Sequence, residues 1–311
     1  MYIILYNSNN DRVYRNPHGE IQMREYQAMA YAKINLGLDV VRRLENGYHQ
    51  VKMVMQSIGL GDQLTLEMAG CGITITTDAP GLPTDRSNLI HKAASLMFET
   101  YGIHSGIRVH LRKEIPMAAG MAGGSTDAAA VMKGINELFR LGLPLSRLME
   151  DGVAIGADVP YCILGGTALA EGIGERLTAL PPMPDCHILV AKPRAEVSTK
   201  YVYEHLDAQG LTAHPDIDGM VQAIRQGDLQ GITGRMENVL ETVTVPAHPV
   251  IADLKGRMLE SGAENSLMSG SGPTVFGIFS EEEKARAAYA RLREENLADR
   301  LFLTEPCRNA D

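Results

Sequence analysis

Between Ile115 and Ala130 the chain reads Ile-Pro-Met-Ala-Ala-Gly-Met-Ala-Gly-Gly-Ser-Thr-Asp-Ala-Ala-Ala, a glycine-rich loop that runs straight into the start of a helix. That join constrains the fold more than any other stretch. Gly120, Gly123 and Gly124 let backbone N–H groups approach a ligand closely, and the helix behind them presents its free N–H groups and positive dipole end, a combination that favours phosphate oxygens. Ser125, Thr126 and Asp127 suit capping positions, and the alanines make a strong first turn. Taken alone, the same residues also describe an ordinary helix entry packed closely on a neighbour.

The loop differs from the best-known nucleotide signatures. A Walker loop needs Lys and Ser/Thr directly after its glycines, and no lysine follows Gly124. No G-x-G-x-x-G follows a strand in a βαβ unit, and neither H-R-D nor D-F-G occurs, so the Rossmann and protein-kinase signatures are both missing. A nucleotide bound by this chain is therefore held in another way.

With 311 residues, 45% of them hydrophobic, the chain is long enough for about two domains with a sizeable core. It has no Trp and few aromatics, so packing falls to aliphatic side chains and 16 methionines. A net charge of −9 argues against nucleic acid or an anionic membrane as the main partner, and no apolar run is long enough to span a bilayer. Cys71, Cys162, Cys186 and Cys307 are widely spaced without a C-x-x-C pair, which suits a reducing cytoplasm better than disulfides or zinc. The nine histidines form no metal-binding pattern. Residues 1–22 read as a disordered or over-called lead-in, with a strand over 2–6 as the alternative.

Alternation from Ala28 to Val40 predicts a half-buried strand, with Tyr31, Lys33, Asn35 and Gly37 on its polar face. After a turn at Glu45-Asn46-Gly47, strands are predicted over 51–59, 63–68 and 73–77. A helix over 88–101, a strand over 107–111, the glycine loop, a helix to about Arg140 and another over 146–153 follow. A hairpin over 165–180 leads to the proline-rich Leu180–Pro184, read as a domain joint. Beyond it the pattern predicts strands over 187–191 and 300–303 and helices over 198–206, 215–226, 228–240 and 248–261. It also predicts a strand pair broken by Ser269–Pro273, then a helix from a Ser280/Glu283 capping box. The irregular mixture indicates an α+β fold.

Four segments carry the chemistry: Ala32-Lys-Ile-Asn-Leu-Gly37, the loop from Pro116 to Asp127, Gly156-Ala-Asp-Val-Pro160 and Met268-Ser-Gly-Ser-Gly-Pro-Thr274. In that combination and order the chain resembles the GHMP small-molecule kinases from about Met23 to the C-terminal strand. The resemblance implies two domains around a cleft: a β-rich, ribosomal-protein-like nucleotide-binding domain over 23–184 and a ferredoxin-like α/β domain over 185–311. It implies ATP with Mg²⁺, and a small-molecule alcohol as phosphoryl acceptor.

Carried over residue by residue, Asp158 matches the proposed base for the accepting hydroxyl and Lys33 the cation beside it. The ATP loop is matched by Pro116, Met117, Ala118, Ala119, Gly120, Met121, Ala122, Gly123, Gly124, Ser125 and Thr126, with Asn88 near the adenine. Tyr48 and His49 match residues that contact a cytosine, Tyr203 an aromatic on its opposite face, and Asn35 and Thr199 further polar contacts. Within the family they point to a cytidine diphosphate-linked methylerythritol as the substrate, in a monomer or homodimer. Ser269, Gly270, Ser271 and Gly272 match the third motif, a second glycine turn. No metal ligand is assigned, because Mg²⁺ relies largely on phosphates and water. Two positions depart from the pattern: Met121 replaces a common leucine, and Glu264-Asn-Ser266 is more polar than usual. A GHMP kinase for mevalonate, phosphomevalonate, homoserine or a sugar, and a silent nucleotide-binding relative, are the competing readings.

Overall fold

The computed structural model describes residues 3–6, 12–15, 21–23, 25–45, 47–208, 210–211 and 213–308, so Asn46 of the expected turn lies outside the described residues. The chain forms two compact units that are not continuous in sequence. One comprises Met1–Ala30, Gly61–Ile115 and Gly124–Ile163, and the other Tyr31–Leu60, Pro116–Gly123 and Leu164–Asp311. The expected boundary at Leu180–Pro184 thus falls inside the second unit. There the backbone of Leu180 donates to Thr167 O (2.9 Å) and that of Met183 to Thr167 Oγ1 (3.1 Å), which pins the proline run to a strand.

The first unit opens with β1 (Ile3–Tyr6), β2 (Arg12–Arg15) and β3 (Ile21–Met23), paired antiparallel in that order. Where a disordered lead-in was expected there are three strands, rich in β-branched and aromatic residues that favour extended backbone. Two long strands, β4 (Glu25–Arg43) and β5 (His49–Ala69), pass from one unit into the other. In the first unit Gln63–Ala69 of β5 pairs antiparallel with β7 (Gly106–Arg112), which pairs parallel with β6 (Ile73–Thr77). The parallel pair is bridged by α1 (Leu89–Tyr101), which starts at Asn88 as N-cap and stops at left-handed Gly102. Next come α2 (Gly123–Leu138), α3 (Leu145–Gly152) and α4 (Val159–Leu164). Leu64, Leu66, Met97, Val109, Ala129 and Ile135 lie in its core.

In the second unit Val51–Gln56 of β5 pairs with β8 (Thr167–Gly172), which forms a hairpin with β9 (Arg176–Ala179). A separate antiparallel sheet comprises β10 (His187–Lys192), β11 (Asn265–Met268), β12 (Val275–Phe279) and β13 (Arg300–Thr304), in the order β11-β12-β10-β13. The helices are α5 (Thr199–His205), α6 (Ile217–Gln226), α7 (Leu229–Thr233), α8 (Glu241–Ala247), α9 (Val250–Glu260) and α10 (Glu282–Glu295). Of these, α9 packs on β11 and β12, and α10 on β10 and β13.

Several expectations are corrected. The two strands expected over 51–59 and 63–68 are one, because Gly59 marks a close approach rather than a turn. A β-carbon there would lie 2.8 Å from Thr304 Oγ1, and its N–H donates to Glu305 O. Instead of being half-buried, β4 is buried on both faces from 32 to 40. The helix expected over 228–240 ends at Thr233, and α8 begins only at Glu241. The capping box before α10 does not form: Ser280 Oγ donates to Glu264 Oε1, and the N-cap position is Glu281, without a side-chain cap. Neither α4 nor α8 is among the expected helices; Pro160 sits in a first turn, where its missing N–H costs nothing, and Pro246 lies near the end of α8.

Candidate active site

In the second unit the glycine loop follows a backbone path set by alternating left-handed residues, Ala118 (φ 49°), Gly120 (φ 73°) and Ala122 (φ 56°). Such alternation gathers N–H groups into an anion-binding concavity. Two of these positions are alanines, each costing about 1–2 kcal/mol in that conformation. The middle one must be glycine for a second reason: a β-carbon would collide with Ser269 O and lie 3.0 Å from Gly272 O. Ala119 and Met121 are buried beneath the loop, while Met117 and Ala118 are exposed.

The segment that meets Gly120 is the third motif. Its turn is closed by Ser269 N–H to Thr274 O and Gly272 N–H to Ser269 O, both 2.9 Å, and Ser269 Oγ donates to Gly120 O at 3.0 Å. The two glycine turns, about 150 residues apart in sequence, thus pack backbone against backbone. Beside them is Lys33, only 6% exposed, whose Nζ donates to Asn35 Oδ1 at 2.8 Å. A β-carbon on Gly270 would lie 3.5 Å from Asn35 Oδ1 and 3.6 Å from Lys33 Nζ. Asn35 is fully buried and spends its Nδ2 on Met53 Sδ (3.2 Å), while Lys33 N–H donates to Met121 O (3.2 Å). The ammonium is therefore aimed and desolvated at the point where both glycine turns converge. Sequence alternation placed Lys33 and Asn35 on one face, as found, but did not anticipate their burial.

His49 and Tyr203 also come together, with ring centroids 5.2 Å apart and planes at 36°. His49 is nearly buried, and its imidazole is held below its usual pKa by burial and then by the charge of Arg43, so it is neutral at pH 7. Tyr48 is 59% exposed. Thr199 Oγ1 lies 2.8 Å from Ser271 Oγ, which links α5 to the third motif.

The first unit holds the remaining residues. Gly124 and Ser125 sit at the accessible start of α2, and Thr126 is buried one residue later. Asp127 is not the expected cap but a buried partner of Lys113, with Nζ to Oδ2 at 3.0 Å; Lys113 also contacts Asp62, and Asp127 Oδ1 has no hydrogen-bond partner among the described residues. Asp62 in turn accepts the N–H groups of Glu114 (2.6 Å) and Ile115 (2.8 Å), the residues leading into the glycine loop. Burial pushes the Asp127 carboxyl up, Lys113 draws it down and Asp62 raises it again, to about 8. No sequence pattern announced this cluster, because Asp62 and Lys113 are 51 residues apart. Asn88 caps α1, accepting from Ile90 N (2.9 Å) and donating to Pro83 O (2.6 Å). Asp158, half-buried, precedes α4 and accepts Cys162 N–H on its carbonyl (3.0 Å). The polar Glu264–Ser266 stretch is satisfied: Asn265 Nδ2 donates to Thr233 O and Ser266 Oγ to Phe276 O.

The family model for the GHMP kinases N terminal domain matches residues 88–166, and that for the GHMP kinases C terminal region matches 220–298. The chain is 53% identical over 284 residues to the 4-diphosphocytidyl-2-C-methyl-D-erythritol kinase of Lachnospira eligens, spanning 91% of this chain and 99% of that one. It is 48% identical to the enzyme of the same name from Enterococcus faecalis, spanning 85% and 93%. A crystal structure of a 4-(cytidine 5'-diphospho)-2C-methyl-D-erythritol kinase superposes with a TM-score of 0.78 at 32% identity, over 92% of this chain and 100% of that one. Homoserine kinase from Cytophaga hutchinsonii shares the fold, with a TM-score of 0.75 at 22% identity over 92% and 95%. With identity this high over nearly its whole length, and with both glycine turns meeting at a buried lysine, the chain belongs to the GHMP kinases, in the group of 4-diphosphocytidyl-2-C-methyl-D-erythritol kinases.

Proposed function

We propose that the protein transfers the γ-phosphoryl group of ATP to the 2-hydroxyl of 4-diphosphocytidyl-2-C-methyl-D-erythritol, giving the 2-phosphate and ADP, a step of non-mevalonate isoprenoid synthesis. The observation that carries this reading is the buried Lys33 ammonium, oriented by Asn35 where the Gly120 and Gly270 turns meet. Phosphoryl transfer needs donors aimed at spreading negative charge more than it needs covalent chemistry, and a desolvated ammonium beside N–H-rich turns supplies them.

The proposed division of labour follows from the chemistry of each group. The loop from Pro116 to Thr126 cradles the ATP phosphates, with Asn88 at the adenine through its place at the entrance of α1. Asp158 takes the proton of the hydroxyl as its oxygen bonds to the γ-phosphorus and the bond to ADP breaks. Neutral His49 offers the cytosine both an N–H and a lone pair, while Tyr48 and Tyr203 offer aromatic faces. Asn35 and Thr199 complete the substrate contacts. Among the described residues no three acidic, histidine or cysteine side chains gather into a cage, so Mg²⁺ held mainly by phosphate oxygens and water is the arrangement that fits this chain. Four free cysteines suit a reducing, cytoplasmic setting; among the described residues no helix is long and apolar enough to cross a membrane.

The test is to supply Mg²⁺-ATP with the cytidyl compound, mevalonate, phosphomevalonate or homoserine and follow product by phosphorus NMR. A new monoester from the cytidyl compound alone is expected, and transfer to another member would discard the cytosine site. In the same assay Asp158→Asn should lower turnover by about 10²- to 10⁴-fold with ATP affinity retained. Tyr48→Ala should chiefly raise KM for the cytidyl substrate, and an unchanged KM would remove the stacking role.

A further inference from the structure

We infer that Asn238 is a positioning residue, the keystone of a brace over 237–244 that holds the third glycine turn in place against the strand carrying Lys33. The backbone of this segment is tied to β4: Leu38 N–H donates to Glu237 O (2.9 Å) and Val239 N–H to Leu38 O (3.1 Å). Its side chains grip the turn. Asn238 Nδ2 donates to both Met268 O and Gly270 O at 2.8 Å, while its Oδ1 accepts Leu240 N–H at 3.0 Å, so both amide hydrogens and one lone pair of the oxygen are used. Three residues on, Glu241 Oε1 accepts Met268 N–H (2.8 Å), and after three more Thr244 Oγ1 donates to Ser271 O (3.2 Å). Asn238 and Thr244 are 3% and 1% exposed, which makes their bonds to carbonyls costly to leave unmade.

The geometry gives the brace a functional meaning. Gly270 stands beside Lys33 Nζ and Asn35 Oδ1, and Ser269 and Gly272 stand against Gly120. The segment therefore sets, through the backbone of Glu237 and Val239 on one side and the Asn238 side chain at the centre of the other, the distance between the Lys33 strand and the turn on which the phosphate-cradling loop rests. A shift of the turn by a fraction of an ångström changes what packs against the ammonium at Gly270 and against the loop at Gly120, and phosphoryl transfer is sensitive to such displacement. This inference rests on the reading of Lys33 under the proposed function.

The decisive experiment is a double-mutant cycle on the full-length protein. Asn238→Asp keeps the acceptor for Leu240 but turns an oxygen toward two carbonyls. It is expected to cut kcat by at least about tenfold with KM for the cytidyl substrate within about threefold, a split that marks lost alignment rather than lost binding. Adding Lys33→Ala should then cost much less than it does in the wild type, because both changes disable one arrangement. Asn238→Gln, which retains the donor, should recover part of kcat. A folded Asn238→Asp with kcat within about twofold of wild type, or losses that multiply independently, would overturn the brace. If Asn238→Asp does not fold, the near-isosteric Thr244→Val decides: a kcat loss coupled to Lys33 supports the inference, and wild-type kcat overturns it. Wild-type turnover in Lys33→Ala alone would instead sink the reading of Lys33 and with it the positioning role of Asn238, whereas a slow Lys33→Ala beside a wild-type Asn238→Asp overturns the brace alone.

Discussion

The Asp62–Lys113–Asp127 cluster and the Asn238–Thr244 brace each fasten a short chain segment of the site from within a buried interior, the first wholly with charged groups and the second chiefly with neutral ones. In the first, one ammonium serves two carboxylates, and Asp127 Oδ1 is left without a partner among the described residues. In the second, an amide and a hydroxyl meet carbonyls and an N–H in complementary fashion, and the one carboxylate, Glu241, accepts Met268 N–H with Lys255 as its counter-charge. The contrast teaches what each device can do. Buried charge holds strongly but brings a titration with it, whereas a satisfied neutral network fixes geometry at any ordinary pH. The bonds that Asn238 and Thr244 make to the turn beside Lys33 are of the neutral kind.

Removing the shared cation tests the ionic side most severely. Lys113→Met should destabilise the protein by about 3–5 kcal/mol in urea unfolding at pH 7, since it leaves the buried Asp62 carboxylate without its counter-charge and the buried Asp127 carboxyl without its donor; a loss under about 1 kcal/mol would show that the cluster is not electrostatically tight.

A smaller effect separates the two regions by pH. At neutral pH the folded chain keeps on Asp127 a proton that the unfolded chain, with a carboxyl near its ordinary value of about 4, has released. The contribution is therefore fully present below about pH 4 and is lost as pH rises through the folded value of about 8, with a slope on the order of 1 kcal/mol per pH unit. Asp127→Asn should flatten that slope between pH 5 and about 8. If the variant's stability fell with pH as steeply as the wild type's, the proton would belong elsewhere.

Thr244→Val gives the mildest signal, a destabilisation of about 1 kcal/mol from one carbonyl left unbonded. The comparison requires that loss to be the same at pH 6 and pH 8. A pH-dependent loss would mean that the Thr244 bond is coupled to a charged neighbour such as Glu241.

How much was legible depended on whether the relevant physics was local. Helix α1 could be read to its ends because Asn88 and Gly102 act on backbone within a few residues of themselves. The Gly120 loop was legible as a glycine turn entering a helix for the same reason, and Lys33 with Asn35 on one face followed from period-two alternation along one strand. The Ser280/Glu283 capping box was local too, yet it failed because Glu264, across the fold, competes for the same hydroxyl. The expected gap at 60–62 is instead continuous strand, and only the presence of Thr304 beside Gly59 explains a glycine within it.

The sequence by itself determined the chemistry available to this protein: two glycine turns, a lysine and asparagine on one strand face, an aspartate before Val159-Pro160, and a Tyr-His pair after a turn. These are statements about residue type and short spacing, and propensity and periodicity carry them. Only the tertiary structure decided that Gly120 abuts Ser269, that Lys33 is buried where they meet, and that Asn238 holds the turn. Those facts depend on donors and acceptors far apart in the chain finding one another once water is excluded, and no local pattern records which partner a buried polar group will find.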